Sequence, residues 1–307
     1  MRITFLSTFF LAIFISAHLQ AQVTVPINLH EETDCTSLST KIKNYDKDKT
    51  LVLFDVDNTL ISTNQNKFGS DNWFDLIVHA ARNKSGYEKC HAVLKEEYTK
   101  NTGEAFDANT FRHSFINIIN PYVIYNVDPK TIKEVCPDFK TVLNEYKNSV
   151  GLTSRGISLF VPTTKAIEKL GFKFTTNPIK RDIWSVIIGG DKNIYYNSGI
   201  IYTEGGNKGD ALVGFLKWAK LQQIETLIYA EDSYDKLKLV NDALSSKEGQ
   251  DVLNVMGIKR VELVNVDGLE KTKKINTYSD TQNFETAVQY IKKTCELLKQ
   301  DKALINQ

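Results

Sequence analysis

Two spacings of apolar residues alternate along this chain, and the points where one gives way to the other divide it into elements. From Thr50 to Phe54 the run Thr-Leu-Val-Leu-Phe is almost wholly apolar, which predicts a strand buried on both faces of a parallel sheet. It ends abruptly in Asp55-Val56-Asp57-Asn58-Thr59. Between about Lys67 and Lys147 the spacing turns helical, with Phe74, Ile77, Val78 and Ala81 on one face, and no central strand stands out. Ser149 to Thr153 reads as a second strand, followed by a helix from about Ser158 to Leu170 that stops at Gly171. Strand signals resume at Ile183 to Ile188 and at Ile194 to Tyr202, with a turn at Asn197-Ser198-Gly199. Gly205-Gly206-Asn207-Lys208-Gly209-Asp210 opens a helix running to about Leu221, and a strand from Thr226 to Ala230 ends in Glu231-Asp232. A further helix, a strand at Val261 to Val266 and a helix near Phe284 to Leu298 follow. Alternating strands and helices predict a parallel α/β sheet, in which ligands gather beyond the carboxyl ends of the strands.

The N-terminal end obeys a different logic. Met1 to Ala21 carries Arg2, an apolar stretch from Ile3 to Ile15 and small residues at Ser16, Ala17 and Ala21, the pattern of a secretory signal peptide. The apolar run is shorter than the roughly 20 residues of a bilayer span, so cleavage after Ala21 is expected rather than a membrane anchor, although Leu19 is large for its place before the cut. The mature protein is then exported, periplasmic or secreted. Gln22 to Lys49 is polar, without strong periodicity, and reads as a connecting arm. Export makes disulfides permissible for Cys35, Cys90, Cys136 and Cys295, but no two of them have zinc-site spacing; one disulfide or buried thiols is the simpler reading. At 307 residues and 42% hydrophobic, the chain can bury a full core. Lys and Arg total 38 against 37 for Asp and Glu, so no global field draws it to nucleic acid or an anionic membrane, and a small partner is the better expectation.

Three predicted strands end in chemistry: Asp55 and Asp57, then Thr153, then Glu231 and Asp232. Parallel strands bring these to one edge. Alternation places Asp55 and Asp57 on the same side of an extended chain, and close carboxylates repel unless a divalent cation relieves them. One ionised carboxylate can attack phosphorus while a second, kept protonated, donates to the leaving oxygen. Magnesium, which takes oxygen ligands and keeps several waters, would be served by Asp55, a backbone carbonyl and Asp232. Each feature also has a plainer reading. An acidic turn after a strand is common, Thr153 could simply cap a helix, and Lys208 could be solvated surface. Against the last, an anion at that helix N-terminus would suit both the dipole and the lysine. The glycines around Lys208 do not make a P-loop, since the Gly-Lys-Ser/Thr ending is absent.

Taken in order, these segments resemble the haloacid dehalogenase (HAD) superfamily. Asp55-Val56-Asp57-Asn58-Thr59-Leu60 resembles its first signature, Gly151-Leu152-Thr153-Ser154-Arg155 its second, Lys208-Gly209-Asp210-Ala211-Leu212 its third and Tyr229-Ala230-Glu231-Asp232 its fourth, over roughly Thr50 to Val266. Gly69-Ser70-Asp71-Asn72-Trp73-Phe74, with the Leu-Thr-Ser-Arg run and Asn207-Lys208-Gly209, further resembles an exported, uncharacterised bacterial branch, DUF2608-like. The resemblance implies an α/β fold: a HAD-like Rossmannoid parallel sheet sandwiched by helices, with a helical cap between the first and second motifs. Residues 50–66 and 148–307 would form the core, 67–147 the cap, behind the 1–21 signal peptide and the 22–49 arm. It implies magnesium-dependent hydrolysis of a phosphate monoester through an aspartyl-phosphate, with a small phosphorylated substrate, no nucleic acid and no stable membrane insertion after cleavage. Asp55 would be the nucleophile, Asp57 the general acid/base, Thr153 and Lys208 the phosphate ligands, and Asp55, Asp57 and Asp232 the metal site. The fourth motif departs from the pattern, because Lys236 stands where relatives carry a further Asp or Asn; Asp235 and Glu231 are the candidates to replace it. Ser154, Arg155, Trp73, Arg112 and His113 are candidate contacts, the last three within the helical insertion; Arg155, Trp73, Arg112 and His113 are each more simply packing or surface. Another phosphotransferase with the same nucleophile, or an inactive exported binding protein of this fold, are the alternatives; dehalogenation is disfavoured because Asp57 supplies the second acid.

Overall fold

The computed structural model describes residues 24–63, 68–126, 132–174, 185–189, 192–221, 223–269 and 281–305; the signal-peptide segment and the start of the predicted strand at Ile183 lie outside them. Strand β2 (Thr50–Phe54), buried at all five positions, is central. It pairs in parallel with β5 (Asn148–Thr153) on one side and β9 (Thr226–Glu231) on the other. Beyond β9 lie β10 (Arg260–Asn265) and β1 (Ile27–Glu31), and beyond β5 lies β8 (Ile200–Tyr202), all parallel. Strands β7 (Lys192–Asn197) and β6 (Ser185–Gly189) add two antiparallel pairings at that edge. The result is a Rossmann-like α/β architecture of eight strands.

Period two along the strands splits the apolar residues between two layers. Leu51, Leu53, Leu227 and Leu263 face α8 (Lys208–Ala219), α9 (Tyr234–Ser245) and α10 (Lys247–Met256). Val52, Phe54, Ile228 and Val264 face α1 (Cys35–Lys43), α6 (Asp138–Glu145) and α7 (Phe160–Lys169). Residues 22–49, expected to be a connecting arm, thus contribute both a strand and a helix. As an edge strand, β1 is only partly buried and shows no alternation, while α1 is announced mainly by its cap, Asp34, which accepts from the backbone of Ser37 at 2.6 Å.

The stretch predicted to be helical forms α2 (Asp71–Ala81), α3 (Glu88–Thr102), α4 (Ala108–Ser114), a π-helical turn (Phe115–Ile119) and α5 (Asn120–Asn126). A short antiparallel pair, β3 (Ile61–Thr63) with β4 (Ile132–Glu134), joins its two ends, and three-residue strands are too short to leave a pattern. Buried Phe111, Phe115, Ile119 and Val123 recur every four residues. A spacing of four outruns 3.6 per turn, and the wide π turn keeps the four on one face. The C-terminal helix α11 (Thr281–Ile305) packs on this layer through Ala287, Ile291, Cys295 and Leu298, although the family resemblance places 148–307 in the sheet core. Its spacing shows an amphipathic helix but not its partner. Trp73, fully buried, donates from Nε1 to Thr294 Oγ1 at 3.1 Å and so ties α2 to α11. All four cysteines are free thiols, with Cys90, Cys136 and Cys295 buried. No described helix is long and apolar enough to cross a membrane.

Candidate active site

Chain order reverses at β2, since β5 lies on one side and β9 on the other, and such a switch point leaves a crevice beyond the carboxyl ends of the strands. Asp55 is the first residue past β2, and its N–H donates to Ala230 O at 2.9 Å, extending the ladder by one bond. The chain then turns through Asn58, at φ +59, a left-handed conformation that asparagine tolerates. Asn58 N–H closes on Ile61 O at 2.8 Å. Thr59, wholly buried, accepts from the Asp232 N–H at 3.2 Å, so the loops after β2 and β9 are bonded together.

Lys208, the first residue of α8, is 1% exposed, and its Nζ lies 2.6 Å from both Asp55 Oδ1 and Glu231 Oε2. Glu231 is further held by Tyr229 Oη, donating at 2.5 Å, and by the Ser233 N–H at 3.1 Å. Asn207 caps α8 by accepting from Gly209 N at 2.8 Å. Glycine at 209 is required by packing: a Cβ there would lie 2.3 Å from Leu239 O and 2.6 Å from Ala243 Cβ, driving α8, and Lys208 with it, away from α9. Burial, then the Glu231 charge, push the Asp55 carboxyl up to about 6, against the pull of Lys208 and Lys236. Its Oδ2 is buried and meets no hydrogen-bond donor.

Asp57 is held differently. Arg155 grips it with two parallel bonds, Nη2 to Oδ1 at 2.5 Å and Nε to Oδ2 at 2.9 Å, while Nη1 donates to Thr163 Oγ1 at 2.8 Å. Burial would raise the Asp57 carboxyl, but the guanidinium prevails and holds it below the usual carboxylate range. Thr153, wholly buried at the end of β5, accepts from the Arg155 N–H at 3.1 Å. Ser154 is half-buried beside it. Glu204 accepts from the Ile157 N–H at 2.5 Å, which braces the loop that carries Arg155.

A family model describing a protein of unknown function, DUF2608, matches residues 32–284, a span holding every crevice residue named above. The chain belongs to the DUF2608 family. No curated protein and no solved structure matches it.

In this DUF2608 chain, Asp55, Glu231 and Asp232 can each turn a carboxylate oxygen to within 4.8 Å of the others, and all three are buried. Three buried carboxylates gathered this closely are hard oxygen donors that suit magnesium, whose charge would relieve their repulsion. The side chain of Asp57 is outside this cluster, bound to Arg155, and Asp235 is exposed on α9. Of the two candidates to stand in for the missing Asp or Asn, Glu231 thus lies in the carboxylate cluster and Asp235 outside it. Lys236 points its charge at the same centre: burial opposes the ammonium, but Asp55, Glu231, Asp232 and Asp57 together hold it protonated, above the usual lysine range. Trp73 is core, and His113 is exposed but contacts Asn117, its Nδ1 lying 3.1 Å from Asn117 Nδ2. A cavity of about 310 Å³ opens from Asp57, Asp232 and Lys236 toward α2 and the π turn, where Ser70, Phe74, Asn117 and Asn120 line it. Neither Trp73, Arg112 nor His113 reaches it. The helical pattern marks Phe74 only as part of the apolar face and leaves Asn117 and Asn120 unmarked, while Ser70 stands just ahead of the apolar run as a cap, accepting from Trp73 N at 3.3 Å.

Proposed function

We propose that this protein is an exported, magnesium-dependent phosphatase of the HAD superfamily, with the helical layer from α2 to α5 acting as its cap and Asp55 as its nucleophile; α6, expected within the cap, packs on the sheet instead. The observation that carries this reading is a single carboxylate: Asp55 lies at the crevice end of the central strand, one oxygen paired with Lys208 and the other without a donor. The strand order supports it, since the strand of the first motif lies between those of the second and fourth and so brings all three strand ends to one crevice.

Asp55 Oδ2 would attack phosphorus, forming an O–P bond as the bond to the alcohol oxygen breaks, and water would then hydrolyse the acyl phosphate. Magnesium bound by Asp55, Glu231 and Asp232 would neutralise phosphoryl charge near the anionic nucleophile. Lys208 and Thr153 would hold the phosphoryl oxygens. As general acid, Asp57 must deliver a proton to the leaving alcohol oxygen as its bond to phosphorus breaks, whereas its ion pair with Arg155 keeps it ionised before substrate arrives. An arriving phosphate dianion competes for that guanidinium; once Arg155 turns to the substrate, Asp57 is free to take a proton and pass it on.

One observation favours a second reading, an inactive binding protein: each of Asp55 and Asp57 already has a cationic partner. Phosphate release from a broad panel of monoesters, measured with magnesium and with a chelator, separates the two. Magnesium-dependent release is expected, whereas none from any ester would favour the binding protein. Transfer to an added alcohol would identify a phosphotransferase.

A further inference from the structure

The cavity between the strand ends and the helical layer has two unlike walls. Beside the carboxylates it holds its cations, Arg155 and Lys236, and both are committed: Arg155 to Asp57, and Lys236 to the carboxylates around it. Among the described residues that line the rest of the cavity, none is a cation, while Asp75 and Glu204 are acidic. A second anionic group on the substrate would meet no partner there.

Asn120 stands on the helical wall, at the end of the π turn. It is 4% exposed, it lines the cavity, and its Oδ1 is buried without a hydrogen-bond donor. Buried amide oxygens are nearly always satisfied, so one left open into a cavity calls for a donor from outside the chain. The π turn is what delivers it: its N–H bonds back to Phe115 O across the wide turn, which keeps Ile119 in the helical core and places Asn120 next to it at the cavity. Single π turns inside helices recur where a binding group must be offered.

Resting on the phosphatase reading, we infer that the alcohol half of the substrate is small and rich in hydroxyl or amino donors, a polyol, sugar or amino alcohol carrying one phosphate, and that Asn120 is the residue that recognises it. A cavity of about 310 Å³ lies at the low end for small-molecule sites, roughly 300–1,000 Å³, and disfavours a nucleotide. The unmet Oδ1 accepts from a substrate O–H or N–H, and the lack of a spare cation disfavours a second phosphate or a carboxylate.

Asn120→Ala, with wild type as reference, tests this on hexose 6-phosphates, glycerol phosphate and phenyl phosphate. On the hydroxylated esters kcat/KM is expected to fall about 10-fold or more, mostly through KM, and on phenyl phosphate by less than about 3-fold. Because Oδ1 bonds nothing within the protein, the variant should melt within about 2 °C of wild type. Equal losses on all three esters, no loss on any, or a large drop in melting temperature would overturn the inference. If the wild type hydrolyses nothing, calorimetry with hexose 6-phosphate decides. Binding weakened about 10-fold by Asn120→Ala would uphold the site while the phosphatase reading falls, and no binding would end both.

Discussion

The two halves of the crevice are built on opposite plans. The inner half is charge held against charge: Lys208, at the head of α8, lies between Asp55 and Glu231, and Arg155 lies on Asp57. The carboxylates and the guanidinium stand at or just past the ends of strands whose register the sheet enforces. The outer half is a helical layer cored by rings, with Trp73 and Phe115 at 5.1 Å and Phe111 stacked on Phe115 at 6.1 Å, and it offers the cavity neutral Ser70, Asn117 and Asn120 and the carboxylate of Asp75, but no cation among the described residues. A rigid, compensated array suits a group that every substrate shares, whereas a wall of replaceable side chains suits the part that varies. If that division is right, damage to the inner half will spare no substrate and damage to the outer half will discriminate.

The largest effect is expected from Asp55→Asn. The amide is no competent nucleophile, so turnover should fall by about 10³-fold or more on every ester alike. Initial rates across the panel, with acid-quenched mass spectrometry for phosphoaspartate, provide the measurement. A variant with wild-type turnover would remove Asp55 from the mechanism.

Lys208→Met tests whether the inner half is held by compensation. It leaves Asp55 and Glu231 facing each other, buried, without the cation between them, and removing one partner of such a group destabilises by roughly 3–5 kcal/mol. Denaturant unfolding in chelator should show that loss, and magnesium should restore part of it by replacing the missing positive charge. A variant as stable as wild type in chelator would mean that the three groups are not coupled as their distances imply.

Arg155→Ala separates the roles of the guanidinium. It frees Asp57 from its ion pair but removes a group that can meet the phosphoryl oxygens, so KM is expected to rise about 10-fold or more for every ester, phenyl phosphate included. Against the substrate-dependent loss expected of Asn120→Ala, that uniformity would mark the boundary between the halves. A loss confined to hydroxylated esters would place Arg155 with the outer wall.

How much of this was legible in the sequence follows the same boundary. Asp55, Thr153 and Asp232 are legible because each sits where an apolar run stops, and a parallel sheet gathers such stops at one edge; Lys208 is legible because it opens the helix that follows a glycine-rich turn. Glu231 was left undecided against Asp235, since only the folded turn after β9 shows which carboxylate turns inward. Arg155 was a candidate contact, but its grip on Asp57 depends on a loop braced by Glu204, distant in sequence. Asn117 and Asn120 carried no signal at all: a polar residue beside an apolar face reads as solvated surface until a second layer covers it. The strand and helix of residues 22–49, and the docking of α11, were hidden for a related reason, since an edge strand and an amphipathic helix do not name their partners.

The smallest expected effect asks whether the helical layer can loosen by itself. Trp73→Phe removes the hydrogen bond to Thr294 and some buried volume, at a cost of about 1–2 kcal/mol, without touching the cavity lining. Thiol labelling of the native protein resolves where that cost falls. Burial pushes the Cys90 thiol up to about 11 and the Cys295 thiol up to about 12, so both react at neutral pH chiefly through opening of the helical layer. Cys136, raised by burial in the sheet layer, reports the other region, and half-buried Cys35 serves as an internal reference. If the layers open separately, the variant should label Cys90 and Cys295 roughly 5–30-fold faster while Cys136 keeps its wild-type rate. Parallel acceleration at Cys136 would show one cooperative unit, and the contrast between the two halves would then be one of chemistry alone.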